Sequence, residues 1–117
     1  MNTKGEKINI EEIIKSVRQL YMPDLMALLR SDIMKFWSWG SHAFKAESND
    51  YSRYFRMTVS GHHHKGHVWI FLNGLDLFDV YYTSRQGTIK DIQTDLYFDM
   101  LVEAIDNKIE RIAEYTD

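Results

Sequence analysis

The sequence contains no cysteine, a single proline, and no apolar run longer than a few residues. The absence of cysteine excludes disulfide frameworks, thiolate zinc sites and cysteine nucleophiles. A membrane-spanning helix needs about 20 apolar residues, and the first residues, MNTKGEKINIEE, lack the apolar stretch of a secretory signal. We therefore expect a cytoplasmic protein without a membrane segment.

Motifs for catalysis and phosphate binding are also missing. The six glycines are scattered at predicted turns, and none has the Gly-x-Gly-x-x-Gly or Walker spacing. No serine lies in a nucleophile elbow, and no His-Glu-x-x-His pattern is present. Asp76 and Asp79 lie an odd number of residues apart on a predicted strand, so they point to opposite faces of the sheet. The sequence indicates no cofactor and favours a protein that is not an enzyme.

What the sequence does contain is enough apolar surface for one folded domain. Of its 117 residues, 44% are hydrophobic and 14% are aromatic. A single core suits a chain of roughly 100 to 150 residues, and no linker or repeat divides this one. We expect a single domain that spans residues 1–117.

Helices are predicted at both ends of the chain. Asn9, with a glutamate three residues later, has the spacing of a helix cap, and the apolar spacing behind it continues to Tyr21. Pro23 is suited to open a second helix, or a bent continuation of the first, that ends before Gly40. Thr94 is the predicted cap of the last helix. The apolar stripe of that helix is Phe98, Leu101, Ile105, Ile109 and Ile112.

Between the helices the apolar period changes from 3.6 to 2, which is typical of strands. The predicted strands are 43–47, 53–60, 67–72, 76–83 and a short edge strand at 88–93. Asn73-Gly74 predicts a tight two-residue hairpin, and the short connections favour an antiparallel meander. We therefore predict an α+β domain, with an antiparallel sheet of four to five strands flanked by N-terminal helices and a C-terminal helix.

The stretch SGHHHKGHVW, residues 60–69, holds four histidines. Neutral imidazole is a good metal ligand, which makes His62, His64 and His67 weak candidates for a transition-metal site. Built metal sites, however, combine ligands from separate elements with supporting hydrogen bonds. His62, His63 and His64 lie between two glycines in a strand connection, so we interpret them as a solvated hairpin tip.

One face of the predicted sheet is unusually aromatic. Alternation places on it Tyr54, Arg56, Thr58, His67, Trp69, Phe71, Asp79 and Tyr81. Three interpretations are open: a core beneath the helices, an interface with a protein partner or a second copy in a homodimer, and a base-stacking platform for single-stranded nucleic acid. The platform would use Tyr54, Arg56, Trp69, Phe71 and Tyr81. The net charge of −3 disfavours nucleic acid, which needs a basic footprint.

The last 23 residues carry seven acidic and two basic side chains. The acidic residues recur every three or four positions: Asp95, Asp99, Glu103, Asp106, Glu110, Glu114 and Asp117. Such a ridge is commonly a solvated helix face, and the alternative is a docking surface for a basic partner. The candidate protein-binding residues are Asp99, Glu103, Asp106 and Glu110, together with Trp69, Phe71 and Tyr81.

Three strings carry a resemblance. They are Ser38-Trp39-Gly40, Lys65-Gly66-His67-Val68 and Leu72-Asn73-Gly74-Leu75-Asp76-Leu77-Phe78-Asp79-Val80, followed by the acidic helix. Residues 37–110 thereby resemble a group of small uncharacterised accessory proteins of phages and mobile elements in gut bacteria. The resemblance transfers no catalytic or binding residue. It implies a non-enzymatic binder of a host or element protein, which we adopt as the leading hypothesis for function.

Overall fold

Four helices and seven strands make up residues 2–110, the part of the chain that the computed structural model describes. The helices are α1 (Ile10–Ile13), α2 (Met22–Leu29), α3 (Ile33–Ser38) and α4 (Leu101–Ile109). The strands are β1 (Leu20–Tyr21), β2 (His42–Ala46), β3 (Tyr51–Ser52), β4 (Phe55–Ser60), β5 (Lys65–Leu72), β6 (Phe78–Thr83) and β7 (Ile89–Leu96). Ile112, Glu114 and Asp117, which the sequence assigns to the last helix, lie outside the described residues.

Five strands form one antiparallel sheet in the order β2-β4-β5-β6-β7. β1 and β3 pair separately as a two-stranded sheet. Met57 lies opposite Val68, which lies opposite Tyr82, so these three side chains share one face of the sheet. We call it the first face, and we call the face that carries Trp69 and Phe71 the second face. The predicted α+β fold with an antiparallel sheet and a C-terminal helix is confirmed.

The main core lies between the first sheet face and helices α2, α3 and α4. Its strand residues are Phe55, Met57, Val59, Val68, Ile70, Leu72, Phe78, Val80 and Tyr82. Leu29 and Ile105 pack against them and are fully buried. Trp39, just after α3, is also fully buried, and its indole N–H donates to the Asp106 carboxylate at 3.1 Å. That hydrogen bond removes the cost of an unpaired buried donor.

The second sheet face is covered by the N-terminal segment, residues 2–19. Trp69 and Phe71 are only 8% and 0% exposed. They pack in a second cluster with Ile8, Ile10, Ile13, Ile14 and Val17. Backbone N–H groups of Ile8 and Arg18 donate to carbonyls of the β6–β7 turn and of β5, at 2.8 and 2.7 Å. Of the three interpretations of this face, the core is the one that the structure shows for its two largest aromatic side chains.

The prediction of a long first helix, made from apolar spacing, is wrong. α1 ends at Ile13, and β1 pairs with β3 where the helix would have continued. The β-branched residues of the segment have low helix propensity, and they bury their side chains by lying along the sheet. The predicted cap is confirmed, because the Asn9 side chain accepts a hydrogen bond from the Glu12 N–H at 3.2 Å. Pro23 stands in the first turn of α2, as predicted, and α3 is a separate helix.

The prediction of a tight two-residue hairpin at Asn73-Gly74 is also wrong. Leu72 pairs with Phe78, so the connection contains five residues. The Asn73 side chain accepts hydrogen bonds from the N–H groups of residues 75 and 77, and Asp76 supplies the left-handed position with a φ of 62°. Asparagine therefore shapes this loop through its side chain, as in an Asx turn.

The last helix begins later than predicted. Thr94 lies within β7, where pairing with β6 continues to Leu96, and it does not cap a helix. α4 follows Met100 without a side-chain cap. Phe98, a predicted core residue, is 68% exposed, whereas Leu101 and Ile109 are buried as predicted. Strand pairing occupies the backbone that the sequence pattern assigned to the first turn of the helix.

Candidate functional site

The histidine stretch caps the C-terminal end of α4. The His63 N–H donates to the Ile109 carbonyl at 2.9 Å, which is one of the carbonyls that a helix end leaves without an internal partner. The His62 N–H and ring Nδ1 lie 3.2 and 2.9 Å from the two carboxylate oxygens of Glu110. A β-carbon at Gly61 would lie 2.3 Å from the Ile109 oxygen, so the contact needs glycine. The predicted solvated hairpin tip is therefore a structural contact with the last helix.

The three metal-ligand candidates do not converge. His64 is buried, its Nε2 lies 3.1 Å from the His67 carbonyl oxygen, and its ring packs edge-on against Tyr82. His62 points instead to Glu110. No three His, Cys, Asp or Glu side chains within residues 2–110 are grouped so that they could hold a metal ion.

Burial lowers the pKa of His64 below the ordinary value of 6.5. The charges of Lys90 and Lys108 lower it further. Backbone hydrogen bonds at His67 and Thr83 oppose this shift. The pKa of His67 is also lowered, first by burial and then by neighbouring positive charges. Both imidazoles are therefore held in their neutral form by the fold.

We expect the stability of the protein to fall as the pH is lowered from about 7.5 to about 5.5. His64 of the unfolded chain takes up a proton near its ordinary pKa of 6.5, whereas the buried ring resists protonation. The unfolded state then binds more protons, so stability is full above that pKa and is lost as the pH falls toward the lower folded-state pKa. Urea unfolding midpoints across this range measure the effect.

The matched variant for this measurement is His64→Gln, which retains a neutral N–H donor. Its unfolding midpoint should depend less steeply on pH than that of the unmodified protein, since the contribution of His64 is then removed. Equal slopes for the two proteins contradict the prediction. Asp91 and Glu47, whose pKa values are lowered, titrate below this range.

A groove between α3 and α4 brings together three of the four predicted acidic residues. It encloses about 480 Å³. Glu103, Asp106 and Glu110 line one side at helical spacing, so they share a face of the last helix. The opposite side is formed by Met34, Lys35 and Ser38. Asp99 precedes α4 and is not part of the groove.

The three carboxylates differ in how they are held. Asp106 accepts the Trp39 indole hydrogen bond, and Glu110 binds the histidine loop. Glu103 is exposed in the first turn of the helix. Lys35, the one basic side chain within residues 2–110 that lines the groove, lies 3.9 Å from Asp32. The groove therefore presents a negative wall that is fixed in place by the buried side of the helix.

The rim of the groove is apolar. Met34 and Trp37 are 70% and 67% exposed, and they lie three residues apart on α3, where side chains are neighbours on the helix surface. Phe36, between them in sequence, points inward and is buried. Met34 thus stands in solvent beside the three carboxylates, and Trp37 is exposed next to it on α3.

No protein-family model, curated protein or solved structure matches this chain. Across residues 2–110, no helix is long and apolar enough to cross a membrane.

The structure separates the two groups of candidate residues. Trp69, Phe71 and Tyr81 lie on the second sheet face with Tyr54 and Arg56, on the other side of the sheet from the groove. The Trp69 indole N–H donates to the Thr83 hydroxyl at 3.1 Å, so its polar group is satisfied internally. The proposed base-stacking platform of Trp69 and Phe71 is therefore not accessible beneath the N-terminal segment.

Sequence reasoning missed Met34 and Trp37. α3 is apolar at Ile33, Met34, Phe36 and Trp37, which is more than one buried stripe of a short helix can hold. That surplus was the available signal, because the residues left over after one face is buried must face solvent. It is not specific, since a helix that is apolar all round is often fully buried.

Proposed function

We propose that this chain is a non-catalytic protein-binding module that holds a basic, amphipathic segment of a partner protein in the groove between α3 and α4. The observation that carries the proposal is the exposure of Met34, which lines the groove with the three carboxylates, and of Trp37, three residues further along α3. Tryptophan is among the residues that dominate binding energies at protein interfaces. Exposed large apolar side chains rimmed by polar groups commonly mark such interfaces.

Charge selects the partner. Three carboxylates on one wall favour lysine or arginine side chains, which attract the partner and fix its register. An apolar side chain of the same segment would pack against Met34 and Trp37. In keeping with the resemblance, we expect this partner to be a protein of the host cell or of a mobile element. No catalytic step is required of any residue.

The proposal is tested by two exposed substitutions, Trp37→Ala and Glu103→Lys. Affinity capture from lysate of the source cell, with and without nuclease, identifies a partner, and titration calorimetry with that purified partner measures affinity. We expect Trp37→Ala to weaken binding about 30-fold, because truncating a central interface tryptophan costs about 2 kcal/mol. Glu103→Lys places a positive charge on the negative wall, so it should weaken binding in the same direction.

Matched controls lie away from the groove. Tyr97→Ala removes an exposed aromatic side chain, and Glu11→Lys makes the same charge change on α1. Both controls should bind like the unmodified protein. The proposal is overturned if the groove variants and the controls bind the partner equally, or if nuclease treatment abolishes the capture.

A further inference from the structure

Basic side chains gather at one end of the second sheet face. Lys45 on β2 lies opposite Arg56 on β4, and Thr58 lies opposite His67 on β5. Residues that are directly opposite share a face of the sheet. Lys65 stands two residues before His67 on the same strand, and therefore on the same side. We call Lys45, Arg56, Lys65 and Arg85 the basic face.

Arg85, in the β6–β7 turn, belongs to this set because it is exposed and follows two residues after Thr83, which lies directly opposite His67. The positive charges of Arg56 and Arg85 both contribute to lowering the pKa of His67. Charges from two separate elements therefore converge on one imidazole. The basic face crosses four neighbouring strands, a width of about 14 Å at the usual spacing between strands.

These charges have no acidic partners. Within residues 2–110, none of the four Lys and Arg side chains of the basic face forms an ion pair. By contrast, Arg18 and Arg53 are each paired with a carboxylate, at 2.8 and 2.7 Å. The Arg56 guanidinium lies 5.7 Å from the Trp69 ring, and its Nε is buried with no hydrogen-bond partner. A buried donor without an acceptor is unfavourable, so the Arg56 side chain is not fixed in place by hydrogen bonds of its Nε.

The basic face also lacks exposed apolar anchors. The large apolar side chains that are exposed in the described residues are Tyr21, Ile33, Met34, Trp37, Phe44, Tyr51, Leu75, Tyr97, Phe98 and Met100. None of them belongs to the second face at this end, since Phe44 stacks on Phe36 and Phe55 of the main core. The binding energy of a protein interface comes mainly from large buried side chains such as tryptophan and tyrosine. A polyanion bound by charge alone needs no such side chains.

We propose that the basic face binds the phosphodiester backbone of nucleic acid, with the guanidinium groups of Arg56 and Arg85 as its main phosphate contacts. Arginine suits this role because its planar fork matches a phosphate group and it is weakly hydrated. Binding of this kind involves the backbone and not base stacking, since Trp69 and Phe71 are covered. It does not depend on the groove, which lies across the sheet.

The test is fluorescence anisotropy with a labelled single strand and a labelled duplex of roughly 20 nucleotides, longer than the about 4 to 16 that one small domain covers. We expect binding at about 50 mM salt that weakens by about 200 mM, roughly 20-fold for the single strand and roughly 40-fold for the duplex, as three phosphate contacts predict. The double variant Arg56→Ala/Arg85→Ala should bind at least about tenfold more weakly at low salt. Its logarithmic salt slope should be smaller by about 1.4 for the single strand and by about 1.8 for the duplex.

The control variant is Arg18→Ala/Arg30→Ala, which makes the same change in net charge. Arg18 lies at the other end of β5 and Arg30 stacks on Phe36 at the main core. This variant should retain nearly full affinity. Loss of binding to the same extent in both double variants, or no anisotropy change at low salt, overturns the proposal. Binding to phosphatidylserine vesicles but not to either oligonucleotide overturns it as well, because the anion would then be a lipid.

Discussion

Replacing Gly66 with alanine is expected to lower the free energy of unfolding by about 3 kcal/mol. A β-carbon at this position would lie 2.3 Å from the Thr83 carbonyl oxygen and 3.2 Å from the Ser84 Cα. Both atoms belong to the backbone where β6 ends, so no side-chain rotation relieves the clash. The φ of Gly66 is also 152°, which residues with a β-carbon rarely adopt.

Gly74→Ala is the matched control for this variant. Gly74 has no heavy atom within 4 Å of the added β-carbon and no positive φ, so its replacement should change stability by no more than about 0.5 kcal/mol. Urea unfolding followed by circular dichroism compares the two variants directly. If both glycine variants unfold at the same urea concentration, the close approach of β5 to the end of β6 is incorrect.

Phe71→Ala is expected to destabilise the protein by about 3 to 5 kcal/mol, the usual range for a buried aromatic side chain. Phe71 is fully buried beneath the N-terminal segment and packs edge-on against Tyr81, with ring centroids 5.4 Å apart. Its removal leaves a cavity between the sheet and the apolar residues of the N-terminal segment. The unfolding free energy from urea titration measures this loss.

This measurement separates the interpretations of the second sheet face. A phenylalanine on an open binding surface would change stability by about 0.5 kcal/mol or less on truncation. Phe98→Ala supplies that comparison, because Phe98 is largely exposed. A small effect of Phe71→Ala, similar to that of Phe98→Ala, would show that the N-terminal segment does not cover the sheet.

The sheet was predictable because its pattern is local. Val68, Ile70 and Leu72 alternate with Trp69 and Phe71, and a period of two fixes which side chains share a face. The one turn that was wrong shows what alternation leaves undetermined. Asn73 and its neighbours are compatible with a two-residue or a longer turn, and the choice depends on side-chain hydrogen bonds that the spacing does not encode.

The cover of the second face was not predictable from spacing. Ile10, Ile13, Ile14 and Val17 satisfy a helical period, yet the chain forms one helical turn and then lies along the sheet. Tertiary packing outweighs a weak local propensity here. The same apolar residues account for the aromatic surplus, because Trp69 and Phe71 need a cover that the sequence pattern gave no reason to place.

One wall of the candidate groove was predictable from the sequence, and the other was not. The acidic residues of the last helix follow from helical spacing, and Glu103, Asp106 and Glu110 do share a face. Their opposite wall belongs to α3, and no sequence pattern places α3 beside α4. That placement depends on Trp39, which joins the two helices through its hydrogen bond to Asp106.

The contact between the histidine loop and the last helix can form only late in protein synthesis. Residues 61–64 are made early, but the carbonyl that His63 contacts belongs to Ile109, near the end of the described chain. Until that residue has been made, the main sheet face lacks Leu101, Ile105 and Ile109. Until α4 has been made, only α2 and α3 cover this face of the sheet, and the apolar surface left exposed makes such a chain prone to aggregation.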